Sequence, residues 1–170
     1  MHTSTDRGER DLPARLWIVP IVSTAAGSAA TLLPIVAAAP AMPPFGLLMA
    51  LAWRLRRPEM WPAWIALPLG LLDDLLGGAA LGTAALSWTI AFLLIDVADH
   101  RPMWRDHWLD WALAGLALQF CALGDWAAAA WTGGGGSGPG LIVPQTIIAF
   151  LCFPIVARLC ARIDNWRLVA

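Results

Sequence analysis

Apolar residues dominate this chain in long runs, and polar residues interrupt these runs at only a few places. A run from 61 to 95 is broken near 77–82 and is long enough for two helices. A short run at 45–53 fits a tilted short helix or one arm of a re-entrant hairpin. Runs of about 20 residues, the length that spans hydrocarbon, begin near Leu16, Leu109 and Leu141. The pattern predicts an all-α bundle of about six transmembrane segments, of which the second is short or re-entrant.

Positive charge predicts the orientation of these segments. All eleven basic residues are arginines. With a cytoplasmic N-terminus, six crossings place every arginine cluster in the cytoplasm, as the positive-inside rule requires, whereas five crossings leave at least one cluster outside. The clusters are Arg7, Arg10 and Arg15; Arg54, Arg56 and Arg57; Arg101 and Arg105; and Arg158, Arg162 and Arg167. We therefore expect one bundle domain at 16–165, with cytoplasmic tails at 1–15 and 166–170.

Composition and the aromatic residues agree with a membrane protein. Hydrophobic residues make up 59% of the chain and charged residues only 14%, which is too apolar for a soluble domain of this size. A cleaved signal peptide ending near Ala39 is the alternative for the first segment, but its apolar run exceeds the usual core of such peptides. Trp88 is mid-span and is expected to pack between helices. Other tryptophans, among them Trp53, Trp61, Trp64, Trp108, Trp126, Trp131 and Trp166, are expected at the headgroup level.

Two adjacent carboxylates, Asp73 and Asp74, lie inside an otherwise apolar run. An Asp at the centre of a membrane helix costs roughly 2.5–3.5 kcal/mol on insertion scales, so both residues need a partner or a solvated site. On a helix that continues through Gly77, Asp74 shares a face with Gly70 and Gly77. We expect Asp74 to accept hydrogen bonds from the amides of the following turn and so to hold the helix break. Coupling to an ion or a proton is the other interpretation.

Small residues and prolines predict how the helices pack. The spacing of Gly78 and Gly82 is that of a GxxxG motif, and the small-residue run at 25–30 is a second place where another backbone can approach. Prolines within the segments, such as Pro154, remove a backbone donor, so that neighbouring helices must satisfy the freed carbonyl groups.

The remaining polar residues indicate no catalytic chemistry. Asp125 could supply a further carboxylate, and Gln119 is expected to hydrogen-bond to another helix. Asp96 and Asp99 are explained by pairing with an arginine cluster or by solvation. No His, Cys and Asp cluster has metal-ligand spacing and no nucleophile–base pair is visible. We therefore expect no metal, no cofactor and no catalytic residue, and the few basic residues argue against nucleic-acid binding.

The segment 70–82 resembles the central motif of the rod shape-determining protein MreD family. That motif has a glycine, an aspartate four residues later, two bulky apolar residues, a small-residue turn and a glycine that opens the next helix. Here these positions are Gly70, Asp74, Leu75 and Leu76, the turn 77–81 and Gly82. The chain departs from the motif in its doubled aspartate, and the spacing from Gly70 assigns the motif position to Asp74.

The resemblance implies a non-enzymatic, multi-pass protein of the bacterial inner membrane that takes part in cell elongation. Its expected partner is the bitopic periplasmic scaffold MreC, which connects it indirectly to MreB filaments and to RodA with its transpeptidase, and hence to peptidoglycan synthesis. The expected interaction motif is Gly70, Asp74, Gly77, Gly78 and Gly82, with Asp73, Gln119 and Asp125 as secondary candidates.

Two alternatives remain. The first is a substrate-binding subunit of a vitamin transporter, similar to the S component of energy-coupling-factor systems, which would need convergent polar groups near the outer face. The second is an intramembrane enzyme, which would require a second catalytic group on another helix.

Overall fold

The computed structural model describes residues 8–32, 43–99, 107–132, 140 and 142–169. These residues form six α-helices and short 3-10 turns, with no strand among them. The predicted break in the run 61–95 is confirmed, since one helix ends at Gly77 and the next begins at Thr83. The helices are α1 (Gly8–Ala29), α2 (Phe45–Arg56), α3 (Ala66–Gly77), α4 (Thr83–Asp99), α5 (His107–Trp131) and α6 (Ile142–Val169). The structure is therefore all-α, and α1 begins inside the segment predicted as the N-terminal tail.

Consecutive helices run in opposite directions, which gives the bundle two distinct ends. At the arginine end, Arg54 of α2 pairs with Asp96 of α4, and Arg57 pairs with Asp164 of α6. The hairpin end contains the turn 78–82 between α3 and α4, together with residues of α1, α2 and α5 that lie beside it. The alternation places basic residues of α2 and α6 at the end opposite the turn.

The short helix α2 lies at the centre of the bundle. Every residue from Gly46 to Leu55 is buried, as expected for a helix that is apolar on all sides. It has 12 residues, or a length of about 18 Å, and it packs against α1, α5 and α6. The second segment was predicted to be short, and its burial on all sides explains how so short a helix is accommodated.

Two of the tryptophans expected at the headgroup level are buried inside the bundle. Trp53 and Trp61 are only 1% and 2% exposed, so both indoles pack against other parts of the protein. Trp53 belongs to α2, and its indole N–H donates to Ser23 Oγ of α1 at 2.9 Å. Trp88 is 2% exposed, which confirms its predicted packing between helices. Among the described tryptophans, those exposed on the bundle surface are Trp64, Trp108, Trp126, Trp131 and Trp166.

Small residues allow two pairs of elements to pack closely. A Cβ atom added to Gly27 of α1 would lie 3.0 Å from the carbonyl oxygen of Phe45, which confirms the close backbone approach predicted for the run 25–30. Gly115 of α5 makes room for the Phe150 ring of α6, because an added Cβ would lie 2.8 Å from that ring.

Pro154 frees a backbone carbonyl in α6, and a side chain of α5 satisfies it. Because Pro154 has no N–H, the carbonyl of Phe150, four residues earlier, lacks its helical donor. The indole N–H of Trp111 donates to this carbonyl at 3.1 Å, and the Trp111 ring stacks on the Phe150 ring with centroids 4.4 Å apart. The predicted satisfaction of a proline-freed carbonyl by a neighbouring helix is confirmed at this position.

Within the described residues, two helices are long and apolar enough to cross a membrane, namely Trp108–Trp131 within α5 and Ile142–Trp166 within α6. A shorter apolar helix covers Trp17–Leu32.

Candidate functional site

Asp74 closes the hairpin between α3 and α4. Its side chain is 1% exposed. Oδ2 accepts the N–H of Gly82 at 2.8 Å and, more weakly, that of Ala85 at 3.4 Å, while Oδ1 accepts the N–H of Ala84 at 2.9 Å. The Thr83 hydroxyl also lies 2.9 Å from Oδ1. Asp74 therefore supplies acceptors to amides that α4 leaves without helical partners at its first turn.

The negative charge of Asp74 is also favourable at the N-terminus of α4. The N-terminus of a helix carries a partial positive charge, which a carboxylate stabilises most where water is excluded. The predicted hydrogen bonds from Asp74 to the following turn are confirmed. Because both oxygens already accept backbone donors, the geometry favours the capping interpretation of Asp74 over ion coupling.

Two glycines shape the turn that Asp74 holds. Gly78 follows the last residue of α3 with φ of 66°, and Gly82 precedes α4 with φ of 97°. Both values lie in the left-handed region, which a residue with a Cβ adopts only at a cost. The two glycines lie in the turn between the helices, and no atom lies within 4 Å of a Cβ added to either one. The expectation that they form a GxxxG packing face is therefore wrong, since they reverse the chain direction.

Gly70 is the position at which α3 and α4 come into backbone contact. A Cβ added there would lie 2.6 Å from both the N and the Cα of Ala85 and 2.7 Å from the carbonyl carbon of Ala84. Gly70 and Asp74 are one helical turn apart, on the predicted shared face, and both are buried. Gly77, which was predicted on the same face, is exposed at the end of α3 with nothing within 4 Å of an added Cβ.

The contact at Gly70 shows what packs on the face of α3 that carries Gly70 and Asp74. The first turn of α4 covers this face, so the face packs the bundle itself. Gly70, Asp74, Gly78 and Gly82 thus form a single structural unit, the hairpin site, in which two residues set the contact between the helices and two reverse the chain.

Asp73 points to a different neighbour. A Cβ added to Gly46 of α2 would lie 2.9 Å from Asp73 Oδ1 and would overlap the hydroxyl of Ser28. The Ser28 side chain is 1% exposed and lies beside the Asp73 carboxylate. Asp73 therefore lies at a junction of α1, α2 and α3, where Gly46 leaves room for both polar groups.

The two other secondary candidates lie on α5. Asp125 is an exposed residue whose carboxylate is close enough to Asp73 and Asp74 to interact with both electrostatically. Gln119 is half-buried, and among the described residues its side chain makes no hydrogen bond to another helix. The structure thus brings three of the predicted carboxylates together at the hairpin end and leaves Gln119 apart from them. In the described part of the chain, no three His, Cys, Asp or Glu residues are placed to hold a metal ion.

The arginine end contains the buried charges that the sequence did not single out. Arg54 is 1% exposed and pairs with Asp96, and Asp99 lies 3.8 Å away. Pairing of these aspartates with an arginine cluster is thereby confirmed. From the sequence, Arg54 was placed only among the cytoplasmic charges. The signal that could have indicated its burial is its position next to an apolar run.

Asp164 of α6 is the second buried charge at this end. It is 1% exposed and accepts hydrogen bonds from Arg56 Nε at 3.3 Å and from Arg57 Nη2 at 3.1 Å. Its partners lie more than a hundred positions earlier in the chain, so no local pattern could predict the pair. These ion pairs connect α2 to α4 and to α6.

Comparison with known proteins adds no family assignment. No protein-family model, no curated protein and no solved structure matches this chain.

Proposed function

We propose that this protein is a non-enzymatic, multi-pass component of the bacterial inner membrane that serves cell elongation in the manner of the MreD family. In this proposal it binds a bitopic, MreC-like scaffold and helps to organise peptidoglycan synthesis, with MreB filaments and RodA with its transpeptidase as indirect partners.

The observation that carries the proposal is the construction of the hairpin site. The residues behind the resemblance, Gly70, Asp74 and Gly82, act on one another: Gly70 lets α4 approach, and Asp74 accepts the N–H of Gly82. The carboxylate is occupied by main-chain donors. A motif devoted to building a helical hairpin fits a protein that works by presenting helix surfaces.

Exposed apolar side chains support a membrane location. Leu86, Leu94 and Val97 of α4 are more than half exposed, as are Leu151 and Ile155 of α6. Soluble monomers rarely expose apolar surface on this scale. In the proposed topology the arginine end faces the cytoplasm, as the positive-inside rule requires, and both chain termini lie on that side.

The proposed topology also accommodates the short helix α2. Its length of about 18 Å falls short of the roughly 30 Å hydrocarbon core. Because α2 is enclosed by other helices, its residues from Gly46 to Leu55, including the charged Arg54, are surrounded by protein. The chain can therefore pass between the two ends of the bundle at α2 with little contact to lipid, which completes six passages in the proposal.

A second function is favoured by one observation, the gathering of Asp73, Asp74 and Asp125 at the hairpin end. In the proposed orientation this end faces the outside of the cell, where the substrate subunit of a vitamin transporter would bind its ligand. Both oxygens of Asp74 accept hydrogen bonds within the hairpin, so Asp73 and Asp125 would be the carboxylates that bind such a ligand.

The test is identification of the proteins that copurify with the full chain. A tagged copy is extracted from its own host in mild detergent, and its partners are identified by mass spectrometry. We expect a bitopic periplasmic scaffold together with wall-synthesis enzymes. Recovery of a transporter scaffold with paired ATPases would overturn the proposal in favour of the transporter subunit.

Variants of the hairpin end make this experiment specific. Asp73→Asn and Asp125→Asn remove the carboxylates that a ligand site would use and leave the hairpin unchanged. We expect both variants to retain the scaffold and to support normal cell shape. Loss of function in both, with normal amounts of protein in the membrane, would contradict the proposed role.

A further inference from the structure

Helix α6 has two opposite faces of different character. One face is buried over the stretch from Ala149 through Cys160 to Asp164. The opposite face is exposed and begins as an apolar stripe. Leu151 and Ile155 on this stripe are 59% and 67% exposed. At 100° per residue, the exposed residues lie about half a turn from the buried ones.

The exposed stripe ends in two arginines. Arg158 and Arg162 are one helical turn apart, and both are exposed on the line that continues from Leu151 and Ile155. Neither makes an ion pair or a hydrogen bond within the described part of the chain. The nearest acidic residue along α6, Asp164, is buried on the opposite face and pairs with Arg56 of α2 and with Arg57, which follows α2. No acidic residue in the described part of the chain therefore neutralises the two guanidinium groups.

We propose that this face binds an anionic membrane phospholipid, with its phosphate between Arg158 and Arg162. Side chains four residues apart on a helix have Cβ atoms about 5–6 Å apart, so both guanidinium groups can reach one phosphate. Arginine presents planar N–H groups that match phosphate oxygens. The inference rests on the membrane location in the proposed function, and on no property of the scaffold partner.

The dimensions of the stripe fit one lipid acyl chain. From Arg158 back to Ile147, which is 53% exposed, α6 extends over 11 residues, or about 16 Å. This length is close to half of the roughly 30 Å hydrocarbon core, which is the depth of one leaflet. Trp166, one turn beyond Arg162, is 70% exposed, and an indole is favoured at the headgroup level. A lipid therefore matches both the charged end and the apolar length of the face.

The inference is tested by lipid binding to the purified full-length protein. Native mass spectrometry measures how much phosphatidylglycerol and phosphatidylethanolamine remain bound after delipidation and addition of equal amounts. We expect the unmodified protein to prefer phosphatidylglycerol. The double variant Arg158→Gln with Arg162→Gln should lose on the order of tenfold in this preference. Arg158→Lys with Arg162→Lys keeps the charge and should retain part of the preference for phosphatidylglycerol.

A matched control separates a site from general attraction. Arg7→Gln with Arg10→Gln removes the same charge from the N-terminal segment and should leave the preference unchanged. Equal losses in both glutamine variants, or no loss in either, would overturn the site. Elution volume and helical circular dichroism check that each variant is folded. If the glutamine variant is not folded, the lipid preference of the lysine variant is compared with that of the unmodified protein instead.

Two further outcomes distinguish this inference from the proposed function. Extraction of the protein from membranes by carbonate would contradict both the proposed function and the lipid site. If the protein resists carbonate and copurifies with its scaffold but binds the two lipids equally, only the lipid site is overturned. If a copurifying protein covers the exposed face of α6 and the purified protein shows no lipid preference, the face binds a protein partner and the lipid site is rejected.

Discussion

The two ends of the bundle satisfy buried charge in different ways. At the hairpin end, Asp74 accepts main-chain N–H groups that lie only 8 to 11 positions later in the sequence. At the arginine end, the partners are other charged side chains, 42 positions apart for Arg54 and Asp96 and 107 for Arg57 and Asp164. One end is a local capping site and the other is a contact between distant helices.

The difference determines what each end contributes to the fold. The capped hairpin can form as soon as α3 and α4 exist, because its donors and its acceptor belong to one short segment. The ion pairs form only when α2, α4 and α6 have assembled. Removing one member of a buried pair leaves an uncompensated charge, which costs more than a lost cap. We therefore expect changes at the arginine end to have the larger effects.

The largest effect is expected when Arg54 loses both carboxylates. Asp96→Asn with Asp99→Asn removes two carboxylate charges beside a guanidinium that is only 1% exposed. The free energy of unfolding should fall by about 3–5 kcal/mol. It is measured by titration of the purified protein with SDS in mixed micelles, followed by circular dichroism.

A third substitution tests the cause of this loss. Adding Arg54→Met to the same double variant removes the stranded charge and should recover most of the lost stability, because apolar residues of similar volume can replace buried ion pairs. If the double variant is as stable as the unmodified protein, the arginine end does not hold the helices as we describe.

The next effect tests the close contact in the hairpin site. Gly70→Ala places a Cβ atom 2.6 Å from the backbone of Ala85, so α3 and α4 must separate, at a cost of about 1–3 kcal/mol. Gly77→Ala is the matched control, since it adds the same methyl group where nothing lies within 4 Å. The same SDS titration should give a loss for Gly70→Ala only. Equal results for the two variants would show that the helices can move apart without penalty.

A smaller effect is expected from the cap itself. Asp74→Asn keeps one acceptor oxygen but removes the charge and places an amide donor against the N–H groups of α4. The loss should be about 0.5–2 kcal/mol. Hydrogen exchange should increase at the amides of Gly82 and Ala84. Asp125→Asn removes an exposed carboxylate at the same end and serves as the control. Unchanged exchange in Asp74→Asn would remove any role for the Asp74 charge.

The smallest effect tests the contact between Trp111 of α5 and Phe150 of α6. Trp111→Phe removes the donor to the Phe150 carbonyl and should cost on the order of 0.6 kcal/mol. In Pro154→Ala the restored backbone N–H supplies a helical donor, so Trp111→Phe should cost less in that background. The four proteins form a double-mutant cycle, and additive effects would show that the indole does not compensate for the proline.

Local features of the hairpin were predictable because their causes lie within a few residues. A doubled aspartate in an apolar run, followed by glycines, predicted both a helix break and a cap at Asp74. The same glycines were assigned incorrectly to a packing face, since Gly78 and Gly82 have GxxxG spacing but lie outside the helices. Spacing identifies a shared face only if the helix continues across both positions.

The sequence by itself determined the helical class and the break between α3 and α4, because these follow from hydrophobic runs and local turn chemistry. Only the tertiary structure decided that α2 is enclosed on all sides, that Arg54 and Asp164 are buried, and that Asp73 faces Ser28. An apolar run has the same composition whether it meets lipid or other helices. The partner of a buried charge depends on which distant helices pack together, and that is settled by the complementarity of their surfaces.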